Sequence, residues 1–361
     1  MNILFLTNSV GFGGAEKMLA FVANGLCKIG NQIYIANFNS VPQYVTDKKQ
    51  IFDSSITIYS IETKNGNKHI QRIKAIKQLV VNKKIEVIIG FTMFPNFYGK
   101  IVSILTKVPS IMSERGDPYV GFTNSIADKI ILFFINSSKG AVFQTVDAAR
   151  FYSKKLQRRG IVIPNAIELP DNFVKKQNIA RLKTVVSVGR FQNVQKRYDI
   201  MLKSFALFAE SHPDYILKLY GSGDDILLIK QWSKDFGISD KVKFMGVVSN
   251  APNVIKEDGM FLITSDYEGI PNALLEAMAA GLPVISTDCS PGGAKMLIND
   301  HENGLLVPVR DIKAIANAMT EFANNRELSE KCSKNAQKVV NKFAPQKIIQ
   351  QWIEYINKFS K

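Results

Sequence analysis

Along this chain, short apolar runs rich in β-branched residues alternate with longer segments whose apolar residues recur every three or four positions, the pattern of strands alternating with amphipathic helices. The first half reads as strand 2–7, helix 14–29, strand 32–38, a short strand 56–60, helix 68–83, strand 85–90, helix 96–106, strand 109–112, helix 123–136, strand 140–144 and helix 146–157. Ile161-Val162-Ile163-Pro164-Asn165-Ala166 closes it. From Glu168 to Lys183 the chain is polar and basic, contains Pro170 and has no apolar periodicity, so it reads as a linker. The alternation restarts with strand 184–188, helix 198–210, strand 215–220, helix 225–236, strands 242–245 and 260–264, helix 272–280 and strand 283–286, then several closing helices. Such alternation builds parallel sheets. The expected fold is α/β, with two doubly wound Rossmann-like domains at 1–168 and 169–344. Sheets of this kind bind ligands beyond the carboxyl ends of their strands, so the two are expected to face one cleft. Pro345 opens a last amphipathic helix, 345–361, with Ile348, Ile349, Trp352, Ile353, Tyr355 and Ile356.

At 361 residues and 46% hydrophobic composition, each domain is long enough for its own core. No apolar run approaches the ~20 residues of a membrane span. The longest, Ile130-Ile131-Leu132-Phe133-Phe134-Ile135, reads by its length as a buried helix segment. Met1-Asn2-Ile3-Leu4-Phe5-Leu6-Thr7 reads as a strand rather than a signal peptide, which points to the cytoplasm. Cys27, Cys289 and Cys332 lack metal-type spacing and receive no chemistry. Charge is uneven. Residues 1–168 hold 21 Lys and Arg against 10 Asp and Glu, a net +11, and the remainder has 25 against 21, a net +4. Lys68, Arg72, Lys74, Lys77, Lys83 and Lys84 decorate a helix with an apolar set at Ile70, Ile73, Ile76, Leu79 and Val80. That stretch suits an anionic membrane surface, or else a sheet-covering helix with a solvated basic face. No recognition motif supports nucleic acid as a partner.

The most informative segment runs from Ser265 to Gly281. Residues 272–280 are helix formers, apolar apart from Asn272 and Glu276, and a lone carboxylate buried there would cost on the order of several kcal/mol. Glu276 is therefore read as facing ligand hydroxyls, although a salt-bridged helix acid is the plain alternative. Glu268 lies on the preceding loop, Gly269 and Pro271 set up a turn, and Asn272 is expected to cap the first turn, whose free N–H groups suit an anion. Two carboxylates flanking an anion site fit a nucleotide-diphosphate sugar.

The Glu268-x7-Glu276 run, followed by Ala277-Met278-Ala279-Ala280-Gly281-Leu282-Pro283-Val284-Ile285, resembles the donor-site motif of the retaining glycosyltransferases of family 4, which have the GT-B fold. The resemblance implies that Glu268 lies at the donor sugar and reacting centre, with Glu276 on the ribose hydroxyls and the Gly269-Ile270-Pro271-Asn272 turn at the donor. Gly189-Arg190 and Lys196 resemble the family's Gly-Arg…Lys pair, so Arg190 and Lys196 would neutralise the diphosphate as the leaving group develops charge. Gly221 and Val247 fall in turns that line the base in the relatives, and Gly13-Gly14 in a loop that approaches phosphate or sugar. That loop does not fit a dinucleotide fingerprint, because Glu16 stands at the third glycine position. Asp224-Asp225 reads as a helix-start charge pair rather than a metal site. With basic side chains and a helix dipole in place, neither metal nor cofactor is required. In the family the terminal helix crosses back onto the first domain.

Two departures stand out. Relatives place a histidine after the fourth or fifth strand, whereas His69, His212 and His301 lie elsewhere, and the region reads Ser113-Glu114-Arg115-Gly116-Asp117-Pro118. That segment resembles one in bacterial transferases that assemble capsules, lipopolysaccharide or lipid-linked oligosaccharides. Glu114 and Arg115 are site candidates by position, an internal ion pair being the alternative. Met296 stands near where relatives commonly have an acid. The resemblance implies a retaining transferase that moves a sugar, with UDP as the expected nucleotide, to a growing surface glycan or polyprenyl-diphosphate-linked acceptor at the inner face of the membrane. An epimerase or hydrolase of nucleotide sugars is the alternative enzyme, and a glycan-binding protein without catalysis a third reading.

Overall fold

The computed structural model describes all residues except 12, 40–50, 64–66, 171, 174–180 and 360–361. The chain divides into two compact units, Met1–Ala166 together with Pro345–Lys361, and Ile167–Ala344. Half of the expected linker at 168–183, residues 171 and 174–180, falls outside the described residues.

The first unit holds a parallel sheet of β1 (Asn2–Thr7), β2 (Gln32–Asn37), β3 (Thr57–Ser60), β4 (Val87–Phe91), β5 (Ser110–Ser113), β6 (Gly140–Phe143) and β7 (Gly160–Val162). Their spatial order is β3-β2-β1-β4-β5-β6-β7, and β1 pairs with both β2 and β4 in parallel register. Successive side chains of a strand point to opposite faces. Ile3 and Phe5 accordingly join the core beneath helices Gly14–Lys28 and Pro345–Asn357, while Leu4 and Leu6 join Ile76, Val80, Tyr98 and Val102 on the other face. Both faces are covered, which is why the strands read as continuous apolar runs.

The second unit repeats the plan with β8 (Thr184–Val188), β9 (Ile216–Tyr220), β10 (Val242–Gly246), β11 (Met260–Ile263), β12 (Val284–Thr287) and β13 (Leu305–Val307), ordered β10-β9-β8-β11-β12-β13 and parallel throughout. In each sheet the winding direction reverses once, between β1 and β4 and between β8 and β11. Such reversals open the crevice where doubly wound sheets take ligands. The doubly wound α/β plan is thus the one that the hydropathy pattern predicts.

Several elements differ from expectation. Helix 146–157 breaks into Val146–Phe151 and Lys154–Arg159, because Tyr152 is extended and buries its ring, and Ser153 caps the second piece by accepting from Leu156 N–H. β13 is three residues long, too short to show a period. The Ile130–Ile135 segment is not wholly buried: Ile131 and Ile135 are, but Ile130 and Phe133 are 50% and 72% exposed. Only one face of that helix meets the helix Met93–Thr106, through Phe134 on Phe97. Of the basic residues on helix Lys68–Asn82, Arg72 does not project outward; its guanidinium lies over the Phe38 and Tyr98 rings at 5.0 and 5.9 Å.

Candidate functional site

The two loops at the β8/β11 reversal are bound to each other. Helix Asn193–Lys196 follows β8, and the Lys196 ammonium donates to Glu268 Oε1 on the loop after β11, an oxygen that also accepts from Ser265 Oγ at 2.9 Å. Backbone contacts fix the pair from both sides: Gln195 Nε2 donates to the Tyr267 carbonyl at 3.0 Å, Asp266 N–H to the Gln195 carbonyl at 2.9 Å, and Glu268 N–H to the Ser290 carbonyl at 2.7 Å. Behind it Asp266 accepts from Arg197 Nη1 at 3.0 Å and from Arg310 Nη2 at 2.7 Å. Both arginines sit in the left-handed region, with φ of 53° and 63°. Burial works to raise the Asp266 carboxyl, but hydrogen bonds from Arg310 and Arg197 outweigh it and hold it below the usual range. Burial, and then the charge of Glu268, push the Cys289 thiol up to about 12, so it is neutral beside the pair. The sequence places Arg197 beside Lys196 as a cation at the strand ends, or else as half of a solvated pair, and the structure pairs it with Asp266 and Asp199. Asp266 and Arg310 carry no such signal, because nothing in a charged loop marks which charge meets which.

Arg190, just past β8, is exposed, and its guanidinium makes no hydrogen bond or ion pair among the described residues. Gly189 meets the loop after β9: a Cβ on Gly221, whose φ is +144°, would stand 1.9 Å from the Gly189 carbonyl oxygen. Asp225 stands at the start of helix Ile226–Asp235, as expected, but its side chain does not cap that helix; it accepts from Asn193 N–H at 2.6 Å and ties these loops together. Val247, after β10, is 76% exposed at the same end of the sheet.

Helix Asn272–Ala280 starts immediately after the Gly269-Ile270-Pro271 turn. Pro271 occupies the cap position and the helix has no side-chain cap, so Asn272 is the first helical residue rather than the cap. A proline there fixes an extended entry and leaves the side chain of Asn272 on the helix itself. The turn is held by the loop after β12, where a Cβ on Gly293 would stand 1.6 Å from the Gly269 carbonyl oxygen. Along the helix only Asn272, Ala273 and Glu276 are partly exposed. These lie at i, i+1 and i+4, so Glu276 continues the accessible stripe that begins at the turn.

In the first unit, Gly13 precedes helix Gly14–Lys28. The Glu16 carboxylate folds back over it, accepting from Ser9 Oγ and lying 2.2 Å from where a Gly13 Cβ would be. Phe12 in this loop lies outside the described residues. Glu114 and Arg115, past β5, are both buried but form no ion pair with each other. Glu114 accepts from the N–H groups of Arg115 and Gly116, both at 3.0 Å, and from Tyr152 Oη. Arg115 donates to Ser113 Oγ at 2.8 Å and lies between the Phe91 and Trp352 rings, 5.3 and 5.1 Å from their centroids. Burial lowers its pKa to about 9 against the opposing charge of Glu114. Its Nη2, Asp117 Oδ2 and Gln144 Oε1 are buried without a protein partner. Among the described residues no cluster of three His, Cys, Asp or Glu side chains is arranged to hold a metal.

Residues 170–339, just under half of the chain, match the family model of glycosyl transferases group 1. Over 354 residues the chain is 25% identical to an uncharacterized glycosyltransferase of Haemophilus influenzae, covering 96% of this chain and 97% of the relative. Over 363 residues it is 24% identical to the GalNAc-alpha-(1->4)-GalNAc-alpha-(1->3)-diNAcBac-PP-undecaprenol alpha-1,4-N-acetyl-D-galactosaminyltransferase of Campylobacter jejuni, covering 99% and 98%. Among solved structures, Anabaena HepE in complex with UDP superposes with a TM-score of 0.85 at 19% identity, covering 99% of this chain and 100% of that one. Sucrose-phosphate synthase from Thermosynechococcus elongatus gives 0.81 at 16% identity, covering 99% of each. The second unit therefore carries a glycosyl transferases group 1 domain, and the chain as a whole has the fold of the GT-B glycosyltransferases.

Proposed function

We propose that this chain transfers a sugar, with retention of configuration, from a UDP-sugar to a lipid-linked or polysaccharide glycan at the inner face of the cell membrane. The observation that carries the reading is the Lys196–Glu268 pair at the β8/β11 reversal, with the unpaired Arg190 beside it on the same strand end. As the bond between the sugar carbon and the diphosphate oxygen breaks, negative charge grows on the leaving group. Arg190 and Lys196 are the cations on that side, and the start of helix Asn272–Ala280 adds its N–H groups. Glu268 then orients the sugar, and Glu276, on the accessible stripe, takes the ribose hydroxyls. These charges make a metal unnecessary. Retention is supported by the family 4 resemblance of the Glu268 to Glu276 segment. The acceptor class is supported by the Campylobacter relative, whose name makes it a transferase onto an undecaprenol-linked oligosaccharide, and the nucleotide by the UDP bound to HepE.

The deciding experiment incubates purified protein with a panel of UDP-sugars, with and without lipid-linked oligosaccharides, and follows product mass and anomeric configuration by mass spectrometry and proton NMR. Donor consumption that requires acceptor and keeps the anomeric configuration is expected. Consumption without acceptor would make the chain an epimerase or hydrolase, and an inverted product would overturn retention.

A further inference from the structure

Helix Ile126–Asn136 is apolar on two sides, and only one of them is used by the fold. Ile131 and Ile135 are buried, and the Phe134 ring meets Phe97 edge-on at 5.7 Å. The opposite stripe, Ile126, Ile130 and Phe133 at i, i+4 and i+7, is 79%, 50% and 72% exposed in the full chain. Tyr119 and Val120, on the short helix Pro118–Gly121 just before it, add two more half-exposed apolar side chains. Lys129 is the charged residue on this outer side. Asp128 is turned back to accept from Thr123 N–H at 2.7 Å. A solvated helix normally carries polar residues on such a stripe.

The surrounding charges identify what covers it. At the C-terminal end of the helix, Ser153 N–H donates to Asn136 Oδ1 at 2.8 Å and Arg159 Nη1 to the Ser138 carbonyl at 3.4 Å, which sets the basic helix Lys154–Arg159 against this end. Lys154, Lys155, Arg158, Arg159 and Lys139 are exposed there, and none forms an ion pair among the described residues. Lys100 completes the cluster, its pKa lowered by burial and then by the charges of Lys139 and Arg159. An apolar stripe that ends in unpaired cations matches the boundary of an anionic bilayer, where apolar side chains enter the acyl layer and cations meet headgroup phosphates. A second copy packed on the same face about a two-fold axis would set this basic patch close to its own image.

We infer that the outer face of helix Ile126–Asn136, together with helix Lys154–Arg159, is a docking surface for an anionic lipid bilayer. At 11 residues the helix is roughly 16 Å long, so it lies in the interface and does not cross it. No helix among the described residues is long and apolar enough to cross a membrane. On the basic helix Lys68–Asn82 the fold uses most of the apolar set, because Ile76 and Val80 are buried in the domain and Ile73 and Leu79 pack beside them, leaving Ile70 and Val81 exposed at 51% and 61% near opposite ends of the helix rather than in a stripe.

The test is vesicle flotation of the full-length protein, and it does not depend on catalysis. Wild type should float with phosphatidylglycerol-containing vesicles, not with phosphatidylcholine alone, and should be released as ionic strength rises. The Ile126→Ser/Ile130→Ser/Phe133→Ser variant and the Lys154→Gln/Lys155→Gln/Arg158→Gln variant should each lower the bound fraction by more than about tenfold, while Lys74→Gln/Lys77→Gln/Lys84→Gln stays close to wild type. In Phe133→Trp, added tryptophan emission should shift to the blue on mixing with the anionic vesicles. Unchanged flotation of the apolar variant at an unchanged melting temperature would overturn the inference, as would an unshifted Phe133→Trp. A wild-type dimer that the apolar variant turns into a monomer, without vesicle binding by either, would assign the face to self-association instead. Absence of transfer to any acceptor would count against the proposed reaction alone, since flotation still decides the surface.

Discussion

Lys196 and Glu268 hold side chains that are only 18% and 10% exposed, and each removes part of the penalty of burying the other. If the ammonium also answers charge on the leaving diphosphate, Lys196→Gln and Arg190→Ala should each lower kcat about 100-fold, the usual cost of one donor aimed at developing charge, and activity should survive EDTA. Steady-state kinetics with and without the chelator checks this, and loss on chelation with recovery on adding Mg²⁺ would refute it. Because the pair is in direct contact, Lys196→Gln and Glu268→Gln should be non-additive in kcat/KM. Glu114 gives a stability prediction of definite sign. Burial raises its carboxyl above the ordinary 4.5, against the hydrogen bonds from Tyr152, Gly116 and Arg115. The folded chain therefore holds this proton more tightly than the unfolded one, and the stability the group contributes is full below the unfolded pKa and lost as pH rises through the folded one. Glu114→Gln keeps an acceptor for the two N–H groups and removes that loss. It should melt at the same or a higher temperature than wild type at pH 8, with the advantage shrinking towards pH 4. A variant that is less stable at pH 8 would mean that the carboxylate is wanted ionised.

At the level of elements, the loops of the second unit are held by backbone-on-backbone approaches that tolerate only glycine. Gly293→Ala must displace the Gly269 carbonyl, 1.6 Å from its added carbon, and with it the turn leading into helix Asn272–Ala280. UDP affinity should fall about tenfold or more, near 1.4 kcal/mol, measured by calorimetry. Gly221→Ala combines a φ of +144° with a 1.9 Å approach to the Gly189 carbonyl and should cost about 2 kcal/mol or more in denaturant unfolding. Gly237, at φ +67° with nothing within 4 Å of an added Cβ, is the control: Gly237→Ala should cost about 1 kcal/mol and leave UDP binding intact. Strand and helix positions were legible because each element declares its period locally; β8 and helix Asn272–Ala280 lie where the pattern put them. What was not legible depends on partners far along the chain. Arg197 and Arg310 reach Asp266 across 69 and 44 residues, and Lys196 reaches Glu268 across 72. Ile130 and Phe133 look like core residues in a six-residue apolar run, and only the packed face of their helix shows that they are not.

Across the whole molecule, the chain leaves the first unit at Ala166, builds the second, and returns at Pro345, so the first unit folds from two segments separated by a complete domain. The returning helix Pro345–Asn357 completes the core. Ile348, Trp352 and Ile356 are at most 1% exposed, and Tyr355 Oη accepts from Ala141 N–H at 2.8 Å while donating to the Arg159 carbonyl. Trp352 stacks on Phe91 at 6.1 Å and gives Arg115 one of its two ring faces, so the helix also fixes the residue that follows β5. Trp352→Ala should therefore cost about 3–5 kcal/mol, the range for emptying a large aromatic site. Trp352→Phe should cost much less, because the indole N–H has no protein partner to lose. The two units need not suffer alike. In calorimetry Trp352→Ala, or truncation after Ala344, should lower the melting transition of the first unit and leave that of the second near its wild-type position. If the second unit binds UDP as proposed, that binding should then outlast the fall in sugar transfer at intermediate temperatures. A single transition that shifts as one would show that the units unfold together, and the returning helix would then stabilise the donor site as much as the sheet it covers.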